Sequence, residues 1–175
     1  IGGDLQTLRD TLRPPQLPLD QGESIPIALG DGGELLALHD RVDHPRALVL
    51  LLHGLGGSSR REGLRRMGLA LQAAGFAVLR LNLRGAGPGR DLANGTYAAS
   101  CNSDLEPVLQ RARQLAAGQP LLGVGISLGG SILLNACLDP QLHGASPALD
   151  GLVCTSSPLD LADCSASIER PRNRI

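Results

Sequence analysis

The chain contains no lysine; all sixteen of its basic residues are arginine. That absence excludes a Walker-type phosphate loop and Schiff-base chemistry, both of which need a lysine amine. Tryptophan is also absent, and Phe76 and Tyr97 are the only residues of their kinds. A binder that stacks single strands or sugars on aromatic platforms is therefore not expected. The core has to be built from Leu, Val, Ile and Ala. No long apolar run exists: the longest, from Ala47 to Leu52, is far too short for a stable membrane span. Neither sign of charge is in excess, since the net charge is −1, so bulk attraction to nucleic acid or anionic lipid is not expected. The four cysteines, Cys101, Cys137, Cys154 and Cys164, show no C-x-x-C spacing and no nearby His pair. They read as buried free thiols in a reducing compartment, which points to a cytoplasmic location. No metal or cofactor is expected. At the N-terminus Asp4, Arg9, Asp10 and Arg13 interrupt any signal-peptide pattern.

What is present is a globular composition. The chain has 175 residues, 42% hydrophobic and 19% charged, enough for one domain with a useful core. Residues 1–24 are irregular, with Pro14, Pro15 and Pro18 preventing a continuous helix. Segments 24–29 and 34–39 read as strands around the hairpin signal Gly30-Asp31-Gly32-Gly33. Apolar runs at 47–52, 76–83, 121–126 and 149–156 read as buried strands. Between them, Leu64, Met67, Leu71 and Ala74 recur at helical spacing, with Gly75 as the stop. Ser103 and Glu106 form a possible capping box for a helix carrying Leu105, Val108, Leu109, Ala112, Leu115 and Ala116, although Pro107 argues against so early a start. A further helix is expected from about 127 to 138. This alternation argues for a parallel sheet with helices on both faces.

One pattern carries chemistry: Gly125-Ile126-Ser127-Leu128-Gly129, a G-x-S-x-G. In a chain this rich in Gly and Ser, roughly 0.2 such matches are expected by chance, so context must decide. Ser127 stands where a buried strand meets a helix, the setting a nucleophile elbow requires. Such a turn needs small residues where backbone and helix approach, and Gly125, Gly129 and Gly130 supply them. The serine hydroxyl would stand at a helix N-terminus, which favours a developing anion. The second feature is His53-Gly54-Leu55-Gly56-Gly57, directly after the first long buried strand. Acyl transfer needs two N–H donors for the oxyanion, and Leu128 and Leu55 are the candidates.

Together His53-Gly54-Leu55-Gly56-Gly57, Asn82-Leu83-Arg84-Gly85, Gly125-Ile126-Ser127-Leu128-Gly129-Gly130 and Ser157-Pro158-Leu159-Asp160-Leu161 resemble the α/β-hydrolase superfamily. More narrowly they resemble the YheT-type hydrolases, related to the mammalian ABHD1/ABHD3 group, as does the early Leu5-Gln6-Thr7. The resemblance implies an α/β fold of the α/β-hydrolase type, a mostly parallel sheet flanked by helices. It also implies hydrolysis of small-molecule or lipid carboxylic esters by a Ser-Asp-His triad. Carried over, Ser127 is the nucleophile, Leu55 and Leu128 are the oxyanion donors, and Gly54, Gly125 and Gly129 are the loop and elbow glycines. The family sheet has eight strands, so the last strands and the cap are expected to be missing, with residues 25–175 forming the N-terminal portion of one hydrolase domain after the 1–24 segment. The triad acid and base should then lie beyond Ile175, leaving this chain with little turnover and its last strand at an exposed edge.

The local substitutes for the base are poor. His143, the only histidine after Ser127, reads as a solvated loop residue, and Asp160 as a turn or helix-capping residue. His53 resembles a structural histidine of the loop. Asp104 and Glu106 belong to a helix start. Arg60, Arg61, Arg65 and Arg66 form a solvated helix face, with Glu62 and Arg66 spaced as an i,i+4 pair, rather than a nucleic-acid site. Two other functions compete. One is a Rossmann-type nucleotide-binding protein, suggested by Gly123, Gly125 and Gly129 after a strand but weakened by the lack of an acid at the end of the next one. The other is a non-catalytic hydrolase-like module. No protein partner is indicated.

Overall fold

The computed structural model describes residues 16–142 and 147–170. Its centre is one six-stranded sheet built from β1 (Glu23–Ala28), β2 (Glu34–Asp40), β3 (Leu48–Leu52), β4 (Ala77–Asn82), β5 (Leu121–Ile126) and β6 (Gly151–Thr155), in the order β1-β2-β4-β3-β5-β6. β1 and β2 form an antiparallel hairpin, and β2 pairs antiparallel with β4. From β4 onward all pairs are parallel, with Leu50 opposite both Leu79 and Gly123. The hairpin turn closes through the Leu29 N–H donating to Gly33 O at 2.8 Å, and Asp31 Oδ1 accepts the Gly33 N–H at 3.0 Å.

Four helices connect or follow the parallel strands: α1 (Glu62–Ala73), α2 (Asn102–Ala116), α3 (Leu128–Leu138) and α4 (Leu161–Ile168). Side chains alternate across a strand, so each strand serves two layers. On one face Leu48, Leu50, Leu52, Leu79 and Leu81 pack with Leu105, Val108 and Ala112 of α2 and Ile132, Leu133 and Ala136 of α3. On the other, Leu51 and Val78 pack with Leu64, Met67 and Leu71 of α1. α3 is apolar around most of its circumference and deeply buried. No described helix is long and apolar enough to cross a membrane.

Gly75 ends α1 as its sequence position suggests. It adopts φ 84°, and the Phe76 and Gly75 N–H groups return to Leu71 O and Gln72 O. Three details differ from the sequence reading. The segment 149–156 contributes a shorter strand that is not buried. β6 lies at the sheet edge, and Val153, Cys154 and Thr155 are exposed because no described strand pairs beyond it. The Ser103/Glu106 capping box does not form. α2 begins at Asn102 with Cys101 as N-cap and no side-chain cap, because Asp104 is drawn to Arg84 and Glu106 instead accepts from Gln110 at 3.4 Å. The cysteines are free, but Cys101, Cys137 and Cys164 are only half-buried, and Cys154 is exposed in the edge strand β6.

One buried cation ties the N-terminal half together. Arg80, in β4, is 3% exposed. Its guanidinium donates to Asp40 Oδ2 at 2.6 Å and Oδ1 at 2.7 Å, to Asp20 at 2.7 and 3.1 Å, and to Ser59 O at 2.8 Å. The Arg80 contact holds the Asp20 carboxyl below its ordinary pKa. Asp20 and Arg65 also pair, and Arg65 donates to Pro18 O. Removing one partner of a buried ion pair strands the others. Arg80→Met is therefore expected to lower the free energy of urea unfolding by about 3–5 kcal/mol. Adding Asp40→Leu should recover part of the loss, because the uncompensated carboxylate goes with it. A double variant no better than the single one would contradict this account.

Candidate active site

The serine of the G-x-S-x-G lies between the end of β5 and the start of α3. Ser127 adopts φ 52° and ψ −126°, a left-handed conformation uncommon for a residue with a Cβ. Two hydrogen bonds hold it there: its N–H donates to Thr155 O of β6 at 2.8 Å, and its carbonyl accepts the Gly130 N–H at 3.0 Å. The turn is so tight that neighbouring positions have no room for side chains. A Cβ on Gly125 would overlap the Gly130 backbone, and one on Gly129 would come 2.5 Å from His53 O and 2.8 Å from Leu52 O. A Cβ on Gly54 would stand 2.9 Å from Ser127 Cβ and 3.5 Å from its Oγ, so the loop after β3 runs directly past the serine.

That loop carries Leu55, whose side chain is 76% exposed. Leu128 opens α3, where backbone N–H groups lack intrahelical acceptors. His53 anchors the loop from below. Its Nε2 accepts the Leu83 N–H at 3.3 Å, which leaves Nδ1 to carry the proton and donate to Gly54 O at 2.7 Å. Burial pushes its pKa below 6.5, against the opposing pull of the Gly54 carbonyl. Both ring nitrogens are thus engaged with backbone, one inside the loop and one just past β4, the structural role that the sequence suggested.

The remaining site candidates fall elsewhere. Asp160 caps α4, its Oδ1 accepting the Asp163 N–H at 2.9 Å. His143 lies outside the described residues. Asp104 is buried in a bidentate pair with Arg84 at 2.6 and 2.8 Å. Arg66 and Glu62 form their i,i+4 pair at 4.0 Å. A Cβ on Gly123 would run into Leu149, Leu152 and Leu133, so this glycine serves apolar packing.

Two residues beside the loop had no assigned role in the sequence reading. Tyr97 Oη accepts the Gly56 N–H at 2.8 Å and donates to Gly54 O at 3.4 Å, and its ring meets His53 edge-on with centroids 5.6 Å apart. Arg84, bound by Asp104, also reaches Asp31 at 2.8 Å and Asn94 O at 3.0 Å, and its own carbonyl accepts the Tyr97 N–H at 3.1 Å. A lone tyrosine followed closely by a Cys-Asn-Ser-Asp helix start is a faint signal, and periodicity does not register it.

The family model described as serine aminopeptidase, S33 (Hydrolase_4), matches residues 43–170. The chain belongs to the α/β-hydrolase superfamily. This membership decides against a Rossmann-type nucleotide-binding protein. The α/β-hydrolase chain is 30% identical over 164 residues to the phospholipase ABHD3 of Bos taurus, covering 89% of this chain and 39% of that protein. It is 35% identical over 95 residues to the medium-chain fatty acid ethyl ester synthase/esterase 2 of Saccharomyces cerevisiae, covering 54% of this chain and 21% of that protein. The chain therefore spans well under half the length of these curated relatives. Among solved structures, the Pyrococcus furiosus esterase Pf2001 superposes with a TM-score of 0.71 at 18% identity, covering 93% of this chain and 62% of that one. This last likeness establishes the shared fold.

Two predictions follow from the geometry of this α/β-hydrolase elbow. Gly125→Ala should lose about 3 kcal/mol of stability, because the new methyl meets backbone that cannot move aside. Gly30→Ala, where a Cβ meets nothing within 4 Å, should stay within about 0.5 kcal/mol of the parent. Equal urea midpoints for the two variants would refute the steric account. The second concerns pH. His53 is held neutral in the fold but binds a proton in the unfolded chain near pH 6.5. Its contribution is thus complete above that value and is lost as pH falls from about 6.5 toward the depressed folded value. His39, also lowered by burial, acts in the same direction. Melting temperatures between pH 7.5 and 5.5 should fall in the parent and fall less steeply in His53→Gln; parallel slopes would count against a neutral His53.

Proposed function

We propose that this α/β-hydrolase acts on carboxylic esters as a serine hydrolase, of short-chain esterase or acylglycerol-lipase type, with Ser127 as nucleophile. The observation that carries this reading is Ser127 in its left-handed conformation at the β5–α3 junction with Gly54 against it. Strain retained at one non-glycine residue in a glycine-lined turn fits a hydroxyl that must be presented to substrate. In the reaction Ser127 Oγ forms a bond to the ester carbonyl carbon while its proton passes to a base. The carbonyl oxygen takes up negative charge, received by the N–H groups of Leu55 and Leu128. The C–O bond to the alcohol then breaks, the alcohol leaves with the proton, and water releases the acid by the same route.

The base is assigned to a part of the protein outside the described residues, following residue 175 together with the triad acid. His53 has both nitrogens engaged, and among the described residues no hydrogen bond reaches Ser127 Oγ. Names of the relatives, a phospholipase and an ethyl ester synthase/esterase, support lipid or medium-chain esters as the substrate class. That same lack of a described base favours a second reading, a hydrolase-like module that binds without turnover.

Hydrolysis of p-nitrophenyl butyrate separates the two. The full-length gene product should turn over, and Ser127→Ala should reduce kcat by about 10³-fold or more at an unchanged melting temperature. The 175-residue chain alone should show little or no turnover. A full-length product without Ser127-dependent activity would favour the non-catalytic module. Turnover by the 175-residue chain that Ser127→Ala abolishes would place the base within it.

A further inference from the structure

We infer that Tyr97 is a positioning residue of the oxyanion hole, acting through the Gly54–Leu55 peptide; this rests on the reading of Ser127 and Leu55 above. The Gly54 carbonyl receives three donors: His53 Nδ1–H at 2.7 Å, the Gly57 N–H at 3.1 Å and Tyr97 Oη–H at 3.4 Å. A trans peptide is planar, so a carbonyl fixed in one direction sends the N–H of the same peptide the opposite way. That N–H belongs to Leu55. Donors gathered on a carbonyl also polarise its peptide and strengthen the N–H as a donor. Tyr97 Oη meanwhile accepts the next N–H, from Gly56, at 2.8 Å. One phenol therefore holds both peptides that flank Leu55.

Apart from His53 and the Gly57 N–H, the loop offers no side-chain packing to fix this orientation. The Leu55 side chain is exposed, and its neighbours Gly54, Gly56 and Gly57 have no side chains to pack. Gly56 takes φ 65°, a conformation that an untethered loop would share with many others. Tyr97 is itself fixed at three points: its N–H on Arg84 O, its ring against His53, and its hydroxyl on the loop. Arg84 is locked in turn by Asp104 and Asp31. The orientation of the Leu55 N–H is thus set by residues that never meet substrate. Such preorganisation acts when charge develops on the oxygen and hardly at all on the bound ester.

Tyr97→Phe in the full-length protein tests this, since it keeps the ring and removes only the hydroxyl. Expected is a fall in kcat of about tenfold to 100-fold, with KM within about twofold and the melting temperature nearly unchanged. Affinity for a trifluoromethyl ketone, whose tetrahedral adduct on Ser127 carries the oxyanion, should weaken by the same factor as kcat/KM. A merely structural tyrosine would lower the melting temperature and leave the rate per folded molecule alone, which would overturn the inference. So would a Tyr97→Phe enzyme with parental kcat and inhibitor affinity. If the parent itself neither turns over nor binds the ketone, the reading of Ser127 fails first and this inference falls with it.

Discussion

The candidate site depends on a single strained residue. Holding a residue with a Cβ in the conformation of Ser127 costs about 1–3 kcal/mol, and the surrounding structure must over-determine it for that state to persist. It does so by tight backbone packing. Gly125 lies against Gly130 and Gly129 lies against the carbonyls that end β3, so α3 can begin immediately after the turn. Leu52 and Gly125 are partners in the β3–β5 register, which brings the two glycine loops side by side. The close approach of Gly54 to Ser127 is a consequence of that register, and a shift of one residue would separate them.

The second organising force is arginine. Without lysine, the chain relies on forked guanidinium groups that can serve several acceptors in fixed directions. Arg80 joins β4 to the end of β2, the segment before β1 and the loop before α1 on one face of the sheet. Arg84, just past the end of β4, joins the β1–β2 turn to the start of α2. Four residues apart, the two cations fasten opposite ends of the same neighbourhood, and the second presents its carbonyl to Tyr97. The pairs of Arg80 with Asp40 and of Arg84 with Asp104 are buried, so losing one partner strands the other, whereas the exposed Asp31 contact adds mainly direction.

Much of this architecture was legible in local pattern. Apolar runs located β3, β4 and β5, and the 3.6-residue recurrence of Leu64, Met67 and Leu71 located α1. The elbow was legible because glycine spacing and the strand-to-helix change coincide at Ser127. Periodicity was silent where long-range partners decide. The start of α2 follows an ion pair between Asp104 and Arg84, twenty residues away in sequence. The exposure of β6 depends on what stands beside it in the sheet, which an apolar run cannot report. Tyr97 contributed only as part of a shortage of aromatics, although its hydroxyl bridges to Gly56 over a separation of 41 residues.

The bond from the Ser127 N–H to Thr155 O also has a meaning for synthesis. A chain leaving the ribosome completes β3, β5 and α3 well before β6 exists. Through that interval the serine amide lacks the carbonyl that accepts its hydrogen bond in the finished fold. The Ser127 amide therefore gains its acceptor only once Thr155 has joined the sheet, and the elbow's backbone contacts are complete only with that strand in place. The strand at the edge of the sheet thus completes the turn that the glycines beneath it shape.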